Sequence, residues 1–382
     1  MSNPPVYIVK ASSFLPGEPV ANDEMELLLG EVEGRPSRAR SIILRSNKIR
    51  TRYYAIDRES LRPSYTNAQL AAEAVKKLLG NDFSLDSIQC LAAGTSIADQ
   101  IMPGHAVMVH GELGMPPCEA VSMAGICVSG MSAMKYAYMA VSSGVHDNAI
   151  ATGSELASIT MRADQFTHEH RHKVEALKIN PELAFEKDFL RWMLSDGAGA
   201  VLMQAKPAND DVSLRVEWID ILSYANEMEP CMYAGAEKID GQLKGWSLYS
   251  YEDRARQSIM ATKQDVKLLN NNVIHYTVEK PLATISQNRQ LNASDIDWFL
   301  PHYSSGYFKE KVYNGLKKIG FEIPYDKWFT NLYEKGNTGA ASIYIMLAEL
   351  LDSGQLKSGE KILCYIPESG RFSTCFMLLT VV

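Results

Sequence analysis

Two distant stretches of this chain read alike, and their agreement narrows the fold more than any other feature. SLDSIQCLAAGTS (84–96) and ASDIDWFLPHYSS (293–305) each run from a Ser/Asp-rich helix exit through an isoleucine into an apolar strand. The match sets Ile296 opposite Ile88 and His302 opposite Gly94. Each stretch is followed by small residues that feed an apolar helix: MAGICVSGMSAMKYA in the first half, YEKGNTGAASIYIMLAELL in the second. A duplicated strand–loop–helix unit in a βαβ-rich chain predicts mainly α/β layers built from two similar halves, which we place at 1–207 and 208–382.

The rest of the chain fits that frame. PVYIVKASSFLPG reads as a first strand and its turn, and residues 22–34 as an acidic helix. Residues 66–80 have the pattern of an amphipathic helix closed by Gly80, and DNAIATGSELAS that of a strand ending near Glu155. SDGAGAVLM (195–203) reads as a glycine-rich turn entering a strand. LRVEWIDILSY is a further strand, 251–289 is helix-like, and KILCYIPESGRFSTCFMLLTVV is two strands about a turn. Two irregular insertions, near 162–190 and 226–270, interrupt the pattern. The first contains His168, His170 and His172, whose alternation could face a metal from one strand; the charged surroundings favour a solvated loop, and no metal or cofactor is expected.

Composition limits the function classes. A net charge of −7 argues against nucleic acid as a partner. Six cysteines without C-x-x-C spacing read as free thiols in a reducing compartment. No apolar stretch is long enough to span a bilayer, and no basic-then-apolar leader is visible, so a cytoplasmic, soluble protein is expected.

The chemistry gathers at Cys127. Val128, Met131, Met134, Ala137 and Tyr138 recur at helical spacing, which places the cysteine at the start of a buried helix. Unpaired amides and the positive end of the helix dipole favour a thiolate there. Ala124, Gly125, Ser129 and Gly130 leave room for a substrate to approach. This setting suits a nucleophile that accepts an acyl group. His302 ends a strand, and Asn337 stands at a helix start in GNTGAAS. Arg45, Lys48, Arg50 and Arg52 form a basic run that is either solvated or a contact for phosphate or an acidic carrier.

Taken together, the Cys127 helix, DGAGA, the strand end at His302, GNTGAAS and the closing turn resemble the thiolase-fold condensing enzymes of the β-ketoacyl-acyl-carrier-protein synthase III type. The resemblance covers essentially the whole chain. It implies a layered αβαβα fold of two pseudo-repeated halves and a Cys127–His302–Asn337 triad. Cys127 would hold the first acyl group as a thioester, while His302 and Asn337 donate to the carbonyl of a second thioester and stabilise its enolate. A second oxyanion hole would come from the Cys127 amide and an amide near Ser369 or Gly370. The family further implies a homodimer in which Met102 lines the partner's acyl pocket, with acyl-carrier-protein or CoA thioesters as substrates. PESGRFS stands where these synthases usually carry a Gly-rich run, and YSSG follows His302 in place of the frequent QAN. These departures and the insertions point away from a plain fatty-acid-initiating synthase. The chain looks most like the branch that joins a β-ketoacyl thioester to a second acyl thioester and closes a ring, giving dialkylresorcinol or stilbene precursors. Glu155, at a strand end near Cys127, is a candidate base for ring closure or else a structural carboxylate.

Two other functions compete. An acyltransferase on the same fold would have less need of Asn337, and a non-catalytic pairing subunit would typically lack the cysteine. The intact GNTGAAS and Cys127 favour condensation.

Overall fold

The computed structural model describes residues 4–34, 36–37, 39–80, 83–166, 189–209 and 211–382. The expectation for His168, His170 and His172 lies outside these residues. The first half contributes β1 (Tyr7–Phe14), α1 (Asn67–Lys76), β2 (Cys90–Thr95), α2 (His105–Leu113), β3 (Glu119–Ala124), α3 (Cys127–Ser142), β4 (Asn148–Glu155) and β5 (Gly197–Gln204). The second contributes β6 (Leu214–Ser223), α4 (Val266–Ile274), α5 (Lys280–Arg289), β7 (Trp298–Pro301), α6 (Lys309–Lys318), α7 (Ser342–Asp352), β8 (Lys361–Glu368) and β9 (Ser373–Val381).

Nine strands form one mixed sheet in the order β7-β8-β9-β6-β1-β5-β4-β2-β3. The order reads the same outward from the central β6–β1 pair. On each side an antiparallel neighbour comes first (β5 or β9), then a strand antiparallel to it (β4 or β8), then a parallel one (β2 or β7). Only β3, parallel to β2 at one edge, lacks a counterpart among the described strands. The two matched sequence stretches are β2 and β7 with their entries: a 3-10 turn precedes each strand, capped by Ile88 in one and Ile296 in the other.

Three of the four apolar cores among the described residues explain the layering. α3 and α7 pack together in the middle, with Met131, Met134, Tyr344 and Leu347 meeting side chains from both halves of the sheet, such as Ala151 and Cys364. α1 and α2 cover the outer face of the first half through Leu70, Val75 and Val109 against Leu91 and Ile150. α5 and α6 cover the second half through Leu282, Ile285 and Leu316 against Leu363 and Tyr365. Successive strand residues therefore serve different cores, and the strands read as nearly continuous apolar runs because both faces are buried.

Local chemistry sets several boundaries. α1 opens on a reciprocal capping box between Thr66 and Gln69 and ends at Lys76, short of the Gly80 expected from sequence. The acidic stretch 22–34 yields only a five-residue helix, Met25–Leu29, and a 3-10 turn. The basic run is not all loop: Arg40–Asn47 is a helix carrying Arg45. The long region 251–289 divides into Tyr251–Arg256, α4, a π-helical turn (His275–Glu279) and α5, the last with Pro281 in its first turn, where a missing amide hydrogen costs nothing. Gly197 and Gly199 belong to β5 itself and not to a turn before it. Among the described residues no helix is long and apolar enough to cross a membrane.

Candidate active site

Cys127 is the first residue of α3, reached from β3 through Gly125 and Ile126. Ile126 adopts φ −115°, ψ −121°, which turns the chain sharply from strand into helix. The helix is seated unusually close to its neighbours. A Cβ on Gly94 would lie 2.3 Å from the Ser129 carbonyl oxygen, and one on Gly130 would lie 2.2 Å from that of Ala340. The Tyr344 hydroxyl of α7 donates to the Gly130 carbonyl at 2.6 Å. The start of α3 is thus held directly by the second half of the chain.

Two carboxylates flank Cys127. Glu155 ends β4 and is buried. One of its oxygens accepts from the amides of Ala340 (3.0 Å) and Ser96 (3.2 Å), and the other accepts from the Ser96 hydroxyl. Burial raises its pKa to about 7, opposed by those hydrogen bonds. Glu368 ends β8, and its Oε2 accepts from the amides of Ile126 (2.8 Å) and Val128 (3.0 Å), on either side of Cys127. It caps α3 from the opposite half, since Ile126 offers no capping side chain. Burial raises its pKa too. Sequence reading passed over Glu368; the available signal was a carboxylate closing an otherwise apolar strand run, KILCYIPE.

These neighbours change the expected state of the thiol. A helix N-terminus alone favours a thiolate, but burial, then Glu368, then Glu155 push the Cys127 pKa well above the ordinary thiol value. Both carboxylates thus oppose the thiolate that a bare helix start would favour at Cys127.

His302 follows β7, its amide donating to the Tyr365 carbonyl at 2.8 Å, three residues before Glu368 on β8. It is 4% exposed, and burial lowers its pKa to about 4, so the imidazole is neutral near pH 7. Asn337 is 5% exposed. Its backbone bonds to Met193 and Ser195, and its Oδ1 accepts from the Gly339 amide at 3.0 Å. That leaves the Nδ2 donors unused by the described residues. The loop carrying Asn337 continues into Gly339 and Ala340, which press on Glu155 and α3. Gly370 lies in the β8–β9 turn beside the elbow, its Cβ position 2.9 Å from Ile126 Cδ1, and Ser369 precedes it.

Other expected residues stand apart. Met102 is 79% exposed in the loop before α2, with Ile101 exposed beside it. Arg45 is exposed, and Arg50 is exposed and paired with Glu334. Arg52 is a correction: it is fully buried, donating to Asn22 Oδ1 and the Trp192 carbonyl, so it cannot meet a carrier at the surface. Burial lowers its pKa to about 10. One group of potential metal ligands is found among the described residues, Cys90, Glu119 and His146, with donor atoms within 4.8 Å of one another. Its parts are already partnered: His146 and Tyr136 both bond Glu119, and burial raises the Cys90 thiol to about 12.

Comparison with known proteins bears on the fold. Residues 286–370 match the 3-oxoacyl-[acyl-carrier-protein] synthase III C-terminal family, a span that includes His302, Asn337 and Glu368. The structure superposes on a tetronic acid condensing enzyme, AbyA1 (TM-score 0.74, 20% identity, 98% of this chain and 99% of that one). It superposes equally on OleA of Xanthomonas campestris, crystallised with lauric acid and lauroyl-CoA (TM-score 0.73, 19% identity, 100% of both chains). The protein has the thiolase fold. In sequence it is similar to the β-ketoacyl-[acyl-carrier-protein] synthase III of Ruegeria sp. strain TM1040, 26% identical over 360 residues and 93% of each chain.

Proposed function

We propose that the protein is a ketosynthase that forms carbon–carbon bonds by Claisen-type condensation of acyl thioesters. The observation that carries this reading is the pairing of a cysteine at a helix start with two neutral donors left unengaged by the described residues, the His302 imidazole and the Asn337 Nδ2. An acyltransferase needs the first; stabilising an enolate oxygen needs the second.

In this reading the Cys127 sulfur attacks an acyl thioester. The tetrahedral oxyanion is met by the Cys127 amide and an amide at Ser369 or Gly370, and the carrier or CoA thiol leaves with a proton. A second thioester then binds with its carbonyl toward His302 and Asn337. Its enolate attacks the acyl carbon, and the Cys127 thiolate is expelled. We place a β-ketoacyl thioester and a second acyl thioester as the substrates, with ring closure to a cyclohexanedione that leads to dialkylresorcinol or stilbene products. Glu155 is the candidate base for that closure, since a carboxyl near pKa 7 can take a proton at neutral pH. The sequence relatives, named β-ketoacyl-[acyl-carrier-protein] synthase III, favour a second reading, a fatty-acid-initiating synthase of that type.

The working unit in this proposal is a cytoplasmic homodimer. β3 is an edge strand with half-open faces, and the Ile101–Met102 loop presents apolar side chains that a partner would cover. Arg45 and Arg50 are the carrier contacts that remain at the surface. Mass spectrometry of products from a panel of acyl, β-ketoacyl and malonyl thioesters tests the reading. Cyclic products from the β-ketoacyl pair are expected; linear products from malonyl donors alone would establish the initiation reading instead.

A further inference from the structure

An enolate can arise from a thioester in two ways. A malonyl thioester loses carbon dioxide and needs no base. A thioester without that carboxyl group must lose a proton from its α-carbon, and some group must take it. The α-carbon that attacks is within bonding approach of the acyl carbon on Cys127 Sγ, so the proton acceptor must stand beside Cys127.

Glu368 stands there. Its Oε2 is fixed by the amides of Ile126 and Val128, one on each side of Cys127. Its Oε1 accepts no hydrogen bond from the described residues and is turned toward the last turn, 3.4 Å from the Cβ position of Gly370. Glu155 differs in this respect, because both its oxygens are engaged by Ser96 and Ala340 and it is wedged against Gly339. His302 and Asn337 are committed as donors and carry no negative charge to accept a proton strongly.

We infer that Glu368 is the proton-accepting group for the first bond-forming step, and that the second substrate is an α-protonated acyl or β-ketoacyl thioester and not a malonyl thioester. This rests on the condensing reading above and deepens it. The step balances. The Glu368 carboxylate takes the α-proton; the C–H electron pair becomes the enolate held by His302 and Asn337. The enolate forms the C–C bond to the acyl carbon, the C–S bond to Cys127 breaks, and the departing thiolate recovers the proton from the Glu368 carboxylic acid. No oxidant, metal or additional reactant is required.

The test compares two second substrates on enzyme preacylated at Cys127 with octanoyl-CoA: malonyl-CoA, and the N-acetylcysteamine thioester of β-ketooctanoic acid. Glu368→Gln keeps the shape and an acceptor oxygen for the two amides while removing the basicity. The quantity read is the ratio of the β-ketoacyl condensation rate to the rate of Cys127 acylation by octanoyl-CoA, which should fall by about 100-fold or more. Replacing the α-hydrogens of the β-ketoacyl donor with deuterium, freshly prepared to limit exchange, should slow the wild-type enzyme. An unchanged ratio overturns the inference, including the case in which both rates fall together because the elbow has lost its cap. If Glu368→Gln fails to acylate, Glu368→Asp, which withdraws the carboxylate by one methylene, must lower the same ratio, and an unchanged ratio there also overturns it. A wild-type enzyme that condenses malonyl-CoA alone overturns the inference and leaves the condensing reading intact. A wild-type enzyme that neither acylates Cys127 nor condenses either donor overturns both.

Discussion

β4 and β8 occupy equivalent places in the two halves. Each is eight residues long, each has an antiparallel strand on one side and a parallel one on the other, and each ends in glutamate. Two residues before the end they part company: Gly153 in β4, Ile366 in β8. Gly153 sits in a row of glycines, Gly94–Gly153–Gly199, that crosses β2, β4 and β5 in register. A Cβ at Gly153 would lie 2.3 Å from the Ala340 carbonyl oxygen, and one at Gly199 would lie 2.4 Å from Tyr344 Cβ. The central helices are therefore drawn hard onto the first half of the sheet, whereas Ile366 fills the corresponding space in the second half with side chain. The consequence reaches the glutamates. Glu155 is pinned by the turn that the glycines admit; Glu368 keeps one oxygen unengaged by the described residues at the elbow. The approach of the facing helix, more than the strand itself, decides what a strand-end carboxylate can do.

The sharpest way to break the comparison is through the division of chemistry between the halves. The proposed nucleophile, Cys127, belongs to the first half, and the proposed enolate donors, His302 and Asn337, belong to the second. Cys127→Ala should abolish acylation and condensation together. His302→Ala and Asn337→Ala should each still acylate Cys127, seen by peptide mass mapping, while condensation falls about 100- to 1,000-fold, the usual cost of losing one oxyanion donor. Acylation that falls as far as condensation in both donor variants would contradict the division.

Gly153→Ala probes the close approach. Its methyl group meets backbone that cannot rotate away, so we expect destabilisation of about 3 kcal/mol, at the upper end for overpacking. Urea unfolding measures it. Wild-type stability would mean that the helices can withdraw from the first half at no cost.

Glu155→Gln separates the two carboxylates by pH. An ordinary glutamate titrates near 4.5, and burial brings Glu155 to about 7 in the folded protein. The folded state thus binds this proton more tightly than the unfolded chain does. The stability this proton confers is complete below about pH 4.5 and is lost as pH rises through 7, an effect on the order of 3 kcal/mol. Glutamine has no such titration. The difference in unfolding free energy, variant minus wild type, should accordingly move in the variant's favour between pH 5 and pH 8, and a difference that stays level sinks the argument. The same variant, analysed for products, should release linear condensation products in place of cyclic ones if Glu155 closes the ring.

Sequence revealed much of this architecture and some of the site. The repeat, the helix that starts at Cys127, and the strand end at His302 are local patterns, set by periodicity, small residues and turns. The glycine row is not local. Gly94, Gly153 and Gly199 come from three separate segments, and DGAGA looks like a turn until β5 is paired with β4. Arg52 reads as one more cation in a basic run, but a chain in which Asn22 and Trp192 close over it makes it a core residue. Glu368 escaped for the same reason, since its partners lie 240 and 242 residues away in sequence.

Met102→Trp is expected to have the smallest effect, and it tests whether the first half is complete without a second copy of the chain. Nothing in the described structure covers Met102, which projects from a loop braced by a hydrogen bond from Gln100 Nε2 to the Pro103 carbonyl at 2.8 Å. An exposed methionine beside an exposed isoleucine is a poor surface for a lone molecule and a good one for a subunit interface or a pocket wall. If the loop enters a neighbouring subunit's acyl pocket, a larger side chain shortens that pocket, and long acyl chains lose binding that short ones keep. A few methylenes of misfit correspond to roughly 1–3 kcal/mol, or about 10- to 200-fold in preference. Competition between hexanoyl-CoA and tetradecanoyl-CoA for acylation of Cys127 reads that ratio directly. An unchanged preference in a variant that still dimerises would place the pocket floor elsewhere. A variant that becomes monomeric and loses acylation at once would show that the loop serves the interface before it serves the pocket.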